Sequence, residues 1–174
     1  MSRPQPPQPA KLVVGVFLQD KTLLAPVASR LEQRYGPLQM TSLWFDFDFT
    51  NYYAPEMGAP LYRCMLVFEA LIEQEALADI KCFTNTIERS FTVDEKRRVN
   101  IDPGYLLYER FVLATGKNYS HRIYIGRNIY ADLTLIYQAG GYQTLPWTYP
   151  DYARQEMRDF LLQVRRAYAA DLAR

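Results

Sequence analysis

Residues 98–105 read RVNIDPGY, and how that stretch is taken decides the fold. Val99 and Ile101 are β-branched and apolar, whereas Asn100 and Asp102 are polar. Strict alternation of this kind marks a strand with two unlike faces. Pro103-Gly104 predicts its end, because proline offers no amide to a ladder and the pair favours a turn. Upstream, residues 73–91 carry Leu77, Ile80, Phe83 and Ile87 on one helical face. Residues 62–71 read as a strand, and 40–49 alternate as another. Residues 22–35 place Leu23, Leu24, Val27, Ala28 and Leu31 at helical spacing, with Pro26 in the first turn and Gly36-Pro37 as the stop. KLVVGVFL at 11–18 reads as a strand buried on both faces. The order β-α-β-β-α-β predicts an α+β fold with a ferredoxin-like split βαβ core, its helices on one face of an antiparallel sheet.

Downstream the chain leaves that plan. Residues 106–114 are apolar but too short to assign. Residues 121–125 and 129–138 predict a hairpin turning at Gly126-Arg127-Asn128, and Ala139-Gly140-Gly141 turns again into 142–145. This C-terminal antiparallel hairpin or meander either extends the sheet or packs a second one on it. Asp151 is the expected cap of a terminal helix reaching Leu172, with Phe160, Leu161, Val164 and Tyr168 as its apolar stripe. Residues 1–10 contain Pro4, Pro6, Pro7 and Pro9, so they predict a disordered leader before a single domain at 11–174.

A hydrophobic fraction of 49% within 174 residues suffices for one well-filled core. Tyrosine is the commonest aromatic, with 14 copies, which suits a strand-rich sheet as well as a cleft or contact surface. Twenty basic and nineteen acidic residues leave a net charge of +1, so no nucleic-acid footprint is visible. The densest basic run, Lys96-Arg97-Arg98, reads first as a solvated loop entering a strand. Cys64 and Cys82 form no CxxC pair, and with one histidine they complete no zinc site. They read as free, buried thiols in a reducing compartment. No apolar run approaches the roughly 20 residues of a membrane span, and the Pro/Gln-rich start is not a signal peptide. A cytoplasmic protein without membrane contact is the expectation.

Four polar-aromatic clusters are candidates for function. In RVNIDPGY, Asn100 and Asp102 share a strand face, and the turn is expected to bring Tyr105 beside Asp102. Asp102 either presents an acid on a rigid element or caps its own turn. In TGKNYSHRIY, Lys117, His121 and Arg122 lie close together, and His121 is the chain's single histidine. It serves either as an acid/base or as a strand-entry residue bonded to a carbonyl. Across the expected hairpin Tyr130, Asp132 and Thr134 share a face, which sets Asp132 against Arg122 as a structural pair or, with Lys117, as an anion site. FDFTNYYAPEMG places Asp48, Thr50, Tyr52, Tyr53 and Glu56 on a long connection that serves as a loop or a lid. LPWTYPDY, with Trp147, Tyr149 and Tyr152, reads as an aromatic plug docking the last helix. No spacing motif requires a metal or names a cofactor.

Phosphate-loop chemistry has no motif: a GxxxxGK[ST] reading of Gly116-Lys117 needs glycine at 111 and a hydroxyl at 118, where Phe111 and Asn118 stand. GxGxxG, GxSxG and HExxH are absent too. The segments KLVVGVF, FDFTNYY with EMG, FTN at 83–85, RVNIDPGY, HRIYIG with IYADLTL, and LPWTYPDY resemble a bacterial domain-of-unknown-function family. The resemblance runs from Lys11 into the last helix. Its members are sometimes loosely labelled GTP-binding, a label that the missing phosphate loop and missing NKxD motif do not support here. It carries over no catalytic residues.

Two functions follow as expectations. One is a binding or enzymatic site for an anionic small molecule, a nucleotide or phosphorylated metabolite, held by Lys117 and Arg122. Asn100, Tyr105, Tyr130 and Asp132 would line it, Asp102 or His121 would act as base, and Tyr52, Tyr53 and Glu56 would ride on a lid. The other is a non-catalytic protein or RNA interaction module presenting Tyr52, Tyr53, Tyr149 and Tyr152 as an exposed patch.

Overall fold

The computed structural model describes residues 3–46, 57 and 60–173. In chain order the elements are β1 (Ala10–Leu18), α1 (Leu24–Tyr35), β2 (Leu38–Thr41), β3 (Phe45–Asp46), β4 (Tyr62–Ile72), α2 (Leu77–Ser90), β5 (Thr92–Val93) and β6 (Lys96–Arg97). They continue with β7 (Val99–Leu106), β8 (Arg110–Thr115), β9 (Arg122–Gly126), β10 (Ile129–Gln138), β11 (Gly141–Thr144), α3 (Pro150–Ala153) and α4 (Gln155–Leu172). The fold is α+β. One antiparallel sheet runs in the order β11-β10-β8-β7-β1-β4-β2, with β3 also on β4, β9 also on β10, and β5-β6 as a separate hairpin. The C-terminal strands therefore extend the first sheet and do not stack on it.

Central β1 is buried along its whole length, as an uninterrupted apolar run requires. Leu12, Val14, Val16 and Leu18 meet Val27 and Leu31 of α1 and Ile80 and Ile87 of α2. The opposite face belongs to the terminal helix, whose Phe160, Leu161, Val164 and Tyr168 share a core with Val13. Lys11 on that face is fully buried, and its ammonium is met by Asp171 of α4 at 2.5 Å and by the carbonyls of Phe68 and Glu69. Among the described residues helices thus cover both faces, α1 and α2 on one side and α4 with the short α3 on the other.

Several elements match their sequence signals. Pro26 sits in the first turn of α1, and Gly36 after its end has φ 84°. Arg127 and Asn128, both with positive φ, make the two-residue turn between β9 and β10. The expected strand at 40–49 is interrupted instead: β2 ends at Thr41 and β3 begins at Phe45, while 47–49 lie outside the described residues. At the break the Ser42 hydroxyl accepts the Met65 amide at 2.9 Å, so a side chain stands in for a ladder bond.

The largest correction concerns Pro103-Gly104, which does not end a strand. β7 passes through both residues in unbroken register with β1, from Leu18↔Val99 to Lys11↔Leu106. In an antiparallel strand the amide and carbonyl of one residue leave by the same edge, and that edge alternates. Ile101 turns both groups away from β1, since α2 side chains take them, and Leu107 bonds Arg110 at the β8 edge. Pro103 has the same parity, so its missing amide faces β8 and costs the β1 ladder nothing. A second correction concerns Asp151. It lies within α3 and pairs with the buried Arg63, leaving α4 to start after Arg154 without a side-chain cap.

Candidate functional site

The β7–β8 ladder holds only three residue pairs, Gly104↔Leu113, Tyr105↔Val112 and Leu106↔Phe111. Proline at 103 removes the next donor, and below it the strands separate. Tight contact above the split is set by Gly104, where an added Cβ would fall 2.4 Å from the Val112 carbonyl oxygen. Below it, Ile101 is satisfied from α2: Glu88 Oε1 accepts its amide at 2.7 Å and Lys81 Nζ donates to its carbonyl at 2.6 Å. Lys81, Asn85 and Glu88 recur at one-turn spacing and form one stripe of α2 facing the gap.

That wall is a continuous polar network. Lys81 Nζ lies 3.3 Å from Asp102 Oδ1 and 3.6 Å from Glu88 Oε1. Arg97 of β6 donates to Glu88 Oε2 and to Asn100 Oδ1, each at 3.1 Å, and Asn100 Nδ2 donates to Asp102 Oδ2 at 2.7 Å. Burial pushes the Glu88 carboxyl above its ordinary range, against the pull of Lys81, the Ile101 amide and Arg97. Asp102 is the accessible carboxylate of this wall, its side chain 28% exposed.

The facing wall comes from the β9–β10 hairpin, where Arg122 and Asp132 are register partners. Arg122 Nε donates to Asp132 Oδ2 at 2.8 Å, Nη1 to the Lys117 carbonyl at 2.9 Å, and Nη2 to the Tyr149 hydroxyl at 2.5 Å. Asp132 is also met by His121 Nε2 at 3.2 Å and by the Thr134 hydroxyl at 3.3 Å. His121 stacks on Trp147, with ring centres 4.7 Å apart. Burial raises the Tyr149 phenol, with Arg122 opposing. At the base, the Arg63 guanidinium lies between the Phe17 and Tyr152 rings, at 4.7 and 4.2 Å, and pairs with Asp151. Gly15 leaves the room that the Tyr152 hydroxyl takes, 3.3 Å from where a Cβ would stand.

These walls enclose a cleft of about 860 Å³. Asn100, Asp102, Lys117, Arg122 and Asp132, read from two separate segments, all line it. The other expected residues stand elsewhere. Tyr105 is buried in the core under α4, because the strand continues where a turn was expected. Tyr130 packs edge-on against Tyr124, its cross-strand partner. His121 does not line the cleft; it lies behind Asp132, and no hydrogen bond joins it to Asp102 among the described residues. Tyr52, Tyr53 and Glu56, like Asp48 and Thr50, lie outside the described residues. Tyr152 is buried and so forms no exposed patch.

Lys81, Asn85 and Glu88 give no site signal in the sequence, and Asp151, expected as a helix cap, lines the cleft instead. The first three sit beside the apolar stripe of α2 and look like a solvated face until the split sheet buries them. Arg97 belongs to a run whose composition predicts a solvated loop, yet it bonds Glu88 and Asn100.

Fold and site together define a class: an α+β domain whose single large sheet is parted to hold a charge-lined cleft. The family model described as Domain of unknown function (DUF4416) matches residues 8–168, and the chain belongs to that family. No curated protein and no solved structure matches it. Among the described residues no helix is long and apolar enough to cross a membrane, and no group of three His, Cys, Asp or Glu side chains is placed to hold a metal ion.

Proposed function

We propose that the cleft binds a small anionic molecule, with Arg122 as the principal contact and Lys117 beside it. The observation that carries this reading is the state of Arg122. Its side chain is 9% exposed and lines the cleft, yet its hydrogen bonds use three of the five guanidinium N–H donors. A nearly buried cation with two donors unused among the described residues is poised for an oxyanion. Asp132, held by His121 and Thr134, fixes the guanidinium plane, so the donors are oriented before a ligand arrives. The cleft volume falls within the range of metabolite sites.

Charge balance limits the ligand. Lys81, Arg97, Lys117 and Arg122 line the cleft together with Glu88, Asp102, Asp132 and Asp151, so the site suits a molecule with one anionic group better than a polyanion. Asp102 is the residue of this cleft suited to accept a proton or a hydroxyl, while His121 acts through Asp132. A ferredoxin-like core goes with this reading: the spatial order β7-β1-β4-β2, antiparallel throughout, supports it. A cytoplasmic setting is supported by the two free thiols, Cys64 and Cys82.

The test is a thermal-shift and calorimetric panel of inorganic phosphate, phosphometabolites and nucleotides, run on wild type and on Arg122→Met. A binder at about a hundred times its Kd adds about 2.7 kcal/mol of stability, and Arg122→Met abolishes the gain. A panel without any binder sinks the proposal and favours an interaction module. That second reading has its own observation: Tyr119 and Tyr124, 65% and 57% exposed, stand at and beside the outer strand β9.

A further inference from the structure

The cleft offers a second set of polar atoms, away from Arg122, on the α2–β7 wall. Asp102 is held in place by Lys81 and Asn100, one bond to each oxygen, and keeps open lone pairs toward the cleft. Asn85, one turn beyond Lys81, lines the same wall, and no hydrogen bond among the described residues engages its carboxamide. Phe17, Leu113 and Ala114 supply apolar surface to the same cleft. Tyr149 stands within electrostatic reach of both ends, since Asp132 and Asp102 each push its phenol up.

Resting on the anion reading, we infer that the ligand is a phosphate ester of a polyol, held at two ends: the phosphate on Arg122 and the hydroxyls on Asp102 and Asn85. A sugar phosphate and the ribose phosphate of a nucleotide share this chemistry. An ionised carboxylate only accepts, so its partner must bring donors. A ligand ammonium is disfavoured, because Lys81 already stands 3.3 Å from Asp102 Oδ1 and would repel it. Neutral hydroxyls avoid that repulsion, and carboxylates are the groups that dinucleotide sites use for ribose hydroxyls. The Asn85 amide, donor and acceptor at once, suits a hydroxyl that does both.

Calorimetric titration of the full chain with inorganic phosphate, glycerol phosphate, ribose phosphate and phosphoethanolamine tests this. Ribose phosphate is expected to bind at least about tenfold tighter than inorganic phosphate, a difference of about 1.4 kcal/mol. Asp102→Asn is expected to erase that advantage and leave phosphate binding in place. Because Asp102→Asn also takes a negative charge from beside Lys81, Asn85→Leu serves as the second variant and should erase part of the same advantage. Equal affinity for phosphate and ribose phosphate overturns the hydroxyl end while leaving the anion reading intact. Tighter binding of phosphoethanolamine than of glycerol phosphate overturns it as well, in favour of an ammonium site. Loss of all binding by wild type overturns both readings together.

Discussion

Glu88, a residue of α2, accepts the backbone amide of Ile101 at 2.7 Å, at the edge where the next strand of the sheet has parted from β7. A helix side chain thus does the work of a strand. Glu88→Ala leaves that amide without its acceptor and Lys81 with one carboxylate fewer. The expected loss is about 1–3 kcal/mol, read as a lower urea midpoint. Glu88→Gln keeps an acceptor oxygen for Ile101 and should lose less.

Glu88 also sets a pH dependence. Its carboxyl is raised in the folded protein from an ordinary value of 4.5, so the folded state holds the proton more tightly than the unfolded chain. The contribution is present at low pH and is lost as pH rises from the ordinary value through the raised one. Wild type should therefore lose stability relative to Glu88→Gln over that window and run parallel to it above. Melting curves of both proteins from acid to neutral pH decide this; a constant difference throughout would contradict the raised carboxyl.

Gly104→Ala places a methyl group 2.4 Å from a backbone oxygen of β8, which cannot yield as a side chain can. A loss at or above the upper end of the usual overpacking range of about 1–3 kcal/mol is expected. Gly15→Ala meets side-chain atoms at 3.3 and 3.4 Å and should cost less. Denaturant midpoints in the reverse order would contradict the close β7–β8 approach.

Arg63 is fully buried against Asp151, and removing either partner strands the other charge. Arg63→Met and Asp151→Leu should each cost about 3–5 kcal/mol. The double variant should cost less than their sum, by more than about 1 kcal/mol. Additive losses in a double-mutant cycle would mean that the two side chains act independently.

Tyr149→Phe frees the Arg122 Nη2 donor that the phenol occupies. Phosphate affinity should rise about fivefold, in line with about 1 kcal/mol for one hydrogen bond no longer displaced. Unchanged or weaker binding by calorimetry would show that Tyr149 assists the ligand and does not compete with it.

How much of this was legible differs from element to element. The apolar run 11–18, the stripes of α1 and α2 and the paired turn residues Arg127 and Asn128 announced themselves, because burial periodicity and left-handed turns are local. The facing of Arg122 and Asp132 follows from the expected turn at 126–128, although the chain reaches that register through a two-residue turn and a register shift between Ile129 and Tyr130. The same rules misjudged Pro103. Whether a proline breaks a ladder depends on which edge its nitrogen faces, and that edge is set by pairing with β1, about ninety residues earlier in the chain.

The sequence by itself determined the α+β class, the elements β1, α1, β4 and α2 in their order, and the residues of the β9–β10 wall, all products of local pattern. Only the tertiary structure decided that RVNIDPGY and the hairpin face one another across a cleft. It alone turned Lys81, Asn85 and Glu88 into a wall and moved Tyr105 and His121 out of it. The physical reason lies in the parted sheet. Burial of a charge and the direction of a strand edge are set by neighbours remote in sequence, and no spacing within one segment encodes them.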